Sequence, residues 1–265
     1  MKASILEEIV AFARVDVRRR EQLVPMGELE ARAHDQAAAR SLSSALRRGP
    51  GRLRVLGELK RRSPSAGIIR EDLDPADVAR QLADAGCAAL SVLTEPRYFG
   101  GSIEALAAAR AAVTLPILRK DFVVGPYQIV EGRAHGADAI LLLASVLSDA
   151  EIAQCAAYAR EWGMDVLAEA HGEAELERLL RLDLDVVGVN ARDLRTFEVD
   201  LDAIVAARTR IPSDRVAVAE SGVRTAADAT RIAEAGFDAV LCGEGLMRGA
   251  SPRERMQELF GGRDG

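Results

Sequence analysis

Cysteine is scarce in this chain. Cys87, Cys155 and Cys242 are few, widely spaced and odd in number among 265 residues, which fits neither a disulfide framework nor a paired-cysteine zinc site. A reducing cytoplasm is the setting they suggest. Histidine is equally thin: His34, His135 and His171 have no metal-ligand spacing among them, so each reads as structural or surface-lying and no metal is expected. No apolar run approaches the roughly 20 residues needed to span a bilayer. Met1-Lys2-Ala3-Ser4-Ile5-Leu6-Glu7-Glu8 places carboxylates where a secretory signal needs an apolar core, so a cytoplasmic protein without membrane attachment is expected. An excess of positive charge is missing too. With a net charge of −6 and no stretch of concentrated Lys and Arg, the chain is not expected to hold nucleic acid. Its most obvious basic run, Arg18-Arg19-Arg20, reads as a solvated helix face.

What the chain has instead is 49% apolar and 29% charged residues, a globular balance. Its length is close to the roughly 250 residues at which barrels of alternating strands and helices form a single unit. The first fifty residues read as helices. Ser4 followed by Glu7 is a capping-box pattern, which satisfies N–H groups left free at a helix start. Ile5, Ile9, Phe12 and Ala13 then form an apolar stripe, and Gly49-Pro50-Gly51 separates this segment from the rest of the chain.

From Val55 onward short apolar runs alternate with helix-length amphipathic stretches, and one phrase recurs where helix meets strand. It appears as Ala85-Gly86-Cys87-Ala88-Ala89-Leu90, His135-Gly136-Ala137-Asp138-Ala139-Ile140 and Ala235-Gly236-Phe237-Asp238-Ala239-Val240. In each, the glycine can take the left-handed conformation that ends a helix before small and aliphatic residues enter a strand. Eight candidate strands lie near Val55–Leu59, Ala88–Leu93, Pro116–Arg119, Ala139–Leu143, Asp165–Ala168, Val186–Val189, Val216–Ala219 and Ala239–Cys242. Their unbroken hydrophobicity points to parallel strands buried on both faces. Asp74-Pro75, Ser148 with Glu151, and Ser251-Pro252 with Glu254 mark helix starts between them. The expected fold is α/β, a single (β/α)8 TIM barrel over residues 51–265. An N-terminal helical extension, residues 1–50, is expected to pack on it within one domain, and Gly261-Gly262-Arg263-Asp264-Gly265 reads as a frayed tail.

In such a barrel the active site lies at the carboxyl ends of the strands. Here nearly every apolar run ends in polar residues. The first ends Glu58-Leu59-Lys60, the third Arg119-Lys120-Asp121, and the fifth reaches Glu169. The sixth ends Asn190-Ala191-Arg192, the seventh Glu220-Ser221-Gly222, and the eighth runs into Gly243-Glu244-Gly245. Side chains i and i+2 share one face of a strand, so Glu58 and Lys60 point the same way. A single pair of this kind could be an ion pair that plugs the barrel. Charged ends on so many strands read as a catalytic mouth, because burying unmatched charges is costly.

Ser221-Gly222 and Gly243-Glu244-Gly245 put flexible backbone N–H groups after strands seven and eight, where this fold often grips a phosphate at the start of a short extra helix. Leu246 and Met247 could begin that helix. The loop Arg61-Arg62-Ser63-Pro64-Ser65-Ala66-Gly67 reads equally as a lid or as a plain surface loop. Phe99 and Phe122 sit at loop entries, either as apolar walls for an aromatic substrate or as packing.

At these residues the sequence resembles the indole-3-glycerol phosphate synthase family. The resemblance is carried by Glu58-Leu59-Lys60-Arg61-Arg62-Ser63-Pro64-Ser65, Leu93-Thr94-Glu95-Pro96-Arg97-Tyr98-Phe99-Gly100-Gly101-Ser102 and Leu118-Arg119-Lys120-Asp121-Phe122. Gly188-Val189-Asn190-Ala191-Arg192-Asp193-Leu194, Ala219-Glu220-Ser221-Gly222 and Gly243-Glu244-Gly245-Leu246-Met247-Arg248 continue it. It implies a cofactor-free carboxy-lyase of tryptophan biosynthesis that converts 1-(2-carboxyphenylamino)-1-deoxyribulose 5-phosphate into indole-3-glycerol phosphate, carbon dioxide and water. By that resemblance Lys120 is the general acid of ring closure, Glu169 the acid/base of dehydration, and Glu58 and Lys60 assist proton transfer. Asn190 and Ser221 orient the reacting groups, and Arg192 binds the anionic substrate. Ser63, Gly222, Gly243 and Glu244 serve substrate and phosphate binding, with Phe99, Phe122, Leu141 and Glu220 completing the pocket.

Ala191 and Glu244 depart from the polar and small hydroxyl residues that relatives often carry, so Glu244 is expected to turn its carboxylate away from phosphate. A phosphoribosylanthranilate isomerase, the nearest rival, would leave the N-terminal extension and the Glu58, Lys60 and Lys120 set unexplained. A barrel that only binds would leave Lys120 and Glu169 without work. The expected partner is the phosphorylated small molecule alone, with the protein a monomer open to association with other tryptophan-pathway enzymes.

Overall fold

The computed structural model describes residues 4–49, 52–192, 198–249 and 251–261. The expected runs form β1 (Arg54–Leu59), β2 (Ala89–Leu93), β3 (Ile117–Lys120), β4 (Ala139–Leu143), β5 (Asp165–Ala170), β6 (Val186–Asn190), β7 (Val216–Glu220) and β8 (Ala239–Cys242). All pair in parallel with their chain neighbours, and β8 pairs with β1 to close a barrel. This is the (β/α)8 fold read from the sequence. At the mouth, β3, β5, β6 and β7 run past the apolar pattern, because the backbone ladder continues where alternate side chains turn polar. Asn190, for example, is still in register with Glu220.

The two-residue period sorts each strand. Leu56, Ala89, Leu118, Leu141, Leu167, Val186, Val218 and Leu241 pack inside the barrel. Val55, Leu90, Ile117, Leu142, Val187, Ala217 and Val240 pack outward under the helices. The recurring joint behaves as expected: Gly86, Gly136 and Gly236 have φ of +94°, +88° and +90°. Asp74, Ser148 and Ser251 each cap the adjoining helix by accepting the N–H of the residue three positions on. Among the described residues no helix is long and apolar enough to cross a membrane.

The N-terminal segment forms α1 (Ile5–Leu23), α2 (Met26–His34) and α3 (Leu42–Leu46). Ser4 and Glu7 make the expected capping box. The first turns of α1 lie against the barrel mouth, whereas α2 packs Leu29 and Ala33 on Tyr127, Val130 and Ala134 of the helix Pro126–Ala134. At the other end of the barrel α3 inserts Leu42 and Leu46, both fully buried, beneath the interior side chains.

Three aspartates at the starts of strands hold this plug by its backbone. Arg40 N donates to Asp138 at 2.9 Å, Ser43 N to Asp165 at 2.7 Å and Arg48 N to Asp238 at 3.1 Å. The second oxygens of Asp138 and Asp238 accept Ile117 N at 2.8 Å and Ala217 N at 2.9 Å. Each of these two aspartates therefore satisfies buried donors from two elements at once.

One expectation is corrected. Arg18 and Arg19 are exposed, as a solvated face requires, but Arg20 turns inward and bonds to Asp16 and Glu131. Glu131 is buried and also accepts from Arg119, itself 1% exposed, at 2.8 Å. A carboxylate in that position needs charged partners from both sides, and α1 supplies one of them. The readings at Met1-Lys2-Ala3, Pro50-Gly51, Asp193-Leu194 and the last four residues of the tail lie outside the described residues.

Candidate active site

A cavity of about 400 Å³ opens at the carboxyl ends of the strands. It is lined by Glu58, Lys60, Ser63, Phe99, Lys120, Phe122, Leu141, Glu169, Asn190, Arg192, Glu220, Ser221, Gly222, Gly243 and Glu244. Strand geometry brings them together: Glu58, Lys120, Glu169, Asn190 and Glu220 each occupy an inward position at or near the last residue of a strand.

At the centre, Lys120 Nζ donates to Glu169 Oε2 and to Glu220 Oε2, both at 3.0 Å. Asn190 Nδ2 donates to the other oxygen of Glu169 at 2.9 Å. Burial alone would depress the Lys120 ammonium, but Glu169, then Glu220 and Glu58, hold it well above the ordinary lysine value. Burial works against the Glu169 carboxylate too, yet Lys120 and then His171 pull it down to about 2. Glu220 goes the other way: burial first, then the neighbouring Glu169 charge, push it well above the carboxylate range. The two carboxylates around one ammonium are thus pushed in opposite directions, Glu169 toward the ionised form and Glu220 toward the protonated one.

Glu58 and Lys60 meet as their spacing along the strand predicts: Glu58 is fully buried, with Lys60 Nζ 2.5 Å away. The second carboxylate touching Lys120 is Glu220, which reaches it across the mouth from the end of β7.

The apolar wall is built by Phe99 and Phe122, whose ring centroids lie 6.0 Å apart at 36°. Phe99 is fixed from below. The buried Glu95 carboxylate accepts the backbone N–H groups of Arg97 at 3.0 Å, Tyr98 at 2.6 Å and Phe99 at 2.9 Å, which folds that loop toward the cavity.

The opposite side is made of backbone. Ser221 has φ +67°, the sole non-glycine residue in the left-handed region among those described, and Gly222 follows at +88°. Such a conformation costs a non-glycine residue energy and marks functional loops. Gly243 leads into a one-turn helix, Glu244–Met247, where Leu246 and Met247 were expected to begin one. The Glu244 carboxylate accepts from Arg248 Nε at 3.0 Å and lies 3.4 Å from Arg192 Nη2, so its charge is covered by two guanidinium groups. The loop after β1 forms a short ladder of Arg62–Ser63 with Gly67–Ile68 and turns Ser63 into the cavity.

Three sets of contributors were not read as site residues from the sequence. Ile5, Leu6 and Ile9 of α1 line the cavity, and the apolar stripe of that helix was the available signal. Arg224, Arg248 and Arg255 surround the loops after β7 and β8. His171 had been assigned a structural or surface place, yet it is mostly buried with Nε2 3.2 Å from Glu169 Oε1. Its position two residues beyond Glu169 was the signal. Among the described residues no group of three His, Cys, Asp or Glu side chains could hold a metal ion.

Residues 6–259 match the family model described as indole-3-glycerol phosphate synthase. A protein of that name from Paenarthrobacter aurescens is 46% identical over 260 residues, covering 97% of this chain and 95% of its own. Another from Rhodospirillum rubrum is 45% identical, covering 98% of this chain and all of its own. Among solved structures, a 3-hexulose-6-phosphate synthase superposes with a TM-score of 0.62 at 17% identity over 78% of this chain and 98% of that one. That likeness concerns the barrel fold alone.

Proposed function

The chain belongs to the indole-3-glycerol phosphate synthase family, and from that premise we propose how the mouth of its barrel closes an indole ring. The enzyme converts 1-(2-carboxyphenylamino)-1-deoxyribulose 5-phosphate into indole-3-glycerol phosphate, carbon dioxide and water in tryptophan biosynthesis. The observation that carries the residue assignment is the Lys120 ammonium held 3.0 Å from both Glu169 and Glu220 at the base of the cavity.

Ring closure requires the aromatic carbon that bears the carboxylate to attack the ketone. Lys120 protonates the ketone oxygen as the carbon–carbon bond forms, so negative charge never accumulates there. The carbon–carboxylate bond then breaks, its electron pair returns to the ring, and restored aromaticity drives carbon dioxide away. In the subsequent dehydration, the new hydroxyl leaves as water after accepting a proton, and a base removes a proton from the adjacent carbon. Glu169 is that acid/base group, with Glu220 as the proton-bearing neighbour and Glu58 and Lys60 assisting. Asn190 holds Glu169 in place, while Ser221 orients the substrate. Arg192 and the backbone of Gly222, Gly243 and Glu244 take the phosphate and carboxylate end, Ser63 closes from the first loop, and Phe99, Phe122 and Leu141 enclose the aromatic ring.

In this reading the chain is one unit, a barrel of residues 51–265 with residues 1–50 packed on it. It acts as a cytoplasmic monomer, open to association with other enzymes of the pathway. Turnover of the carboxyphenylamino substrate, followed by the rise of indole fluorescence, tests the assignment directly. Purified, folded protein that leaves this substrate unchanged would overturn it.

A further inference from the structure

The reaction consumes a proton in every turnover. One proton goes to the ketone oxygen and a second to the leaving hydroxyl, whereas only one returns from the adjacent carbon; the carboxylate departs as neutral carbon dioxide. A site that ran on its resident protons would be exhausted after one cycle. Glu169 is 3% exposed and lines the cavity that the substrate would fill.

We propose that His171, fed by Glu175, is the proton-delivery group that recharges Lys120 through Glu169. This rests on the reading of Glu169 as acid/base. His171 Nε2 lies 3.2 Å from Glu169 Oε1, and Nδ1 lies 3.8 Å from Glu175 Oε2. The exposures rise outward along this line, from 3% at the Glu169 side chain through 13% at His171 to 22% at Glu175. Glu175 stands in the first turn of the helix Glu173–Leu180, and its carboxylate also accepts the His171 backbone N–H at 2.8 Å, which fixes the two residues together. Both ring nitrogens are buried without an aligned hydrogen bond. A merely structural histidine in such a place would be expected to have one.

The transfer balances simply. A proton from solvent or Glu175 binds the Nδ1 lone pair, the resulting imidazolium gives its Nε2 proton to Glu169 Oε1 and keeps the electron pair on Nε2, and Glu169 passes a proton on to the neutral Lys120 amine 3.0 Å from its Oε2. Loss of the Nδ1 proton to Glu175 and uptake of one at Nε2 from water restore the starting tautomer. The charged groups facing the imidazole are Glu169 from β5, Glu175 from the helix after it and Lys120 from β3. Burial opposes its charge, but Glu175 and Glu169 outweigh that and raise its affinity for a proton.

The test compares His171→Ala and His171→Gln with the unaltered enzyme. Steady-state kcat should fall roughly 10-fold in both with KM unchanged, while the single-turnover rate of enzyme equilibrated near neutral pH stays within about twofold. Added imidazole should restore kcat in His171→Ala, where it can enter the vacated space, and an equal concentration of a non-titrating amide should not. An unchanged kcat, or a loss that imidazole leaves untouched, overturns the proposal. Glu169→Gln is the control on the underlying reading: it should abolish the single-turnover signal itself, and full activity there would overturn the role of Glu169 as well. Should the alanine variant fail to fold, the glutamine variant, close in size, still decides by the contrast between kcat and the single-turnover rate.

Discussion

Gly188 stands where any side chain would displace Glu220: a Cβ built on it would lie 2.1 Å from Glu220 Oε1. In the sheet Gly188 is in register with Glu169. The missing side chain is therefore the room in which Glu169 and Glu220 converge on one lysine. Gly188 was read only as part of a family motif, although it is the steric condition for the site.

Replacing it tests that condition. Gly188→Ala adds one methyl group only 2.1 Å from where Glu220 Oε1 now lies, and Glu220 has to swing off Lys120 to admit it. The expected result is a folded enzyme with kcat reduced by roughly 10²-fold and KM little altered. Wild-type turnover in that variant would show that the Glu220 position is immaterial.

Lys120→Met keeps the apolar stem and removes the proposed acid. Single-turnover kinetics should show a loss of at least roughly 10²-fold in ring closure, with substrate affinity affected less because other groups hold the phosphate and carboxylate. Rates near those of the unaltered enzyme would move the acid role to Lys60.

Gly243 carries two duties. It begins the loop assigned to phosphate, yet a Cβ on it would also lie 2.2 Å from Glu58 Oε1. Gly243→Ala should therefore depress kcat by disturbing the Glu58 and Lys60 pair, in addition to raising KM. A pure KM effect in steady-state kinetics would confine its role to phosphate.

Stability should respond unequally to two truncations, one of an aspartate and one of a serine. Asp138→Ala strands the buried N–H groups of Ile117 and Arg40 and the Arg110 guanidinium, which bonds to it at 2.8 Å. Breaking a buried ionic contact of this kind costs about 3–5 kcal/mol. Ser148→Ala removes an exposed helix cap and should cost about 1 kcal/mol. Chemical denaturation that ranked the two equally would argue against Asp138 as a clamp.

The pH dependence of stability is set in part by His171. Its proton affinity is raised in the folded state above the ordinary 6.5. The stabilising contribution is thus fully present below about pH 6.5 and is lost as pH rises through the folded value. The unfolding free-energy difference between the unaltered protein and His171→Gln should shrink as pH rises above about 6.5. A difference that widened on that path would mean the imidazole is buried neutral.

The barrel was legible because its signals are local and repeated: eight apolar runs, a glycine joint, a cap before each of several helices. Lys120 and Glu169 could be read as mouth residues since strand alternation fixes which side chains point inward. Which carboxylate reaches Lys120 could not, because Glu58 and Glu220 occupy equivalent strand ends and only the closed barrel decides their distances. Arg20 was misread for a related reason. Its partner Glu131 lies 111 residues away, and a basic run on one helix carries no mark of it. The work of Asp138 and Asp238 was hidden in the same way, inside a phrase that already made sense as a helix-to-strand joint.

The aspartate clamps have a further consequence for the order in which the molecule assembles. Arg48 donates to Asp238 across 190 residues of chain, and Ser43 to Asp165 across 122. The segment that seals the base is made first, yet its last anchor is made with the eighth strand. During synthesis Leu42 and Leu46 must wait without their burial site until nearly the whole chain has emerged. Contacts of such long sequence separation form late and slow the search for the native state. Sealing of the base is thus expected among the final events of folding, and the clamps report completion of the ring rather than starting it.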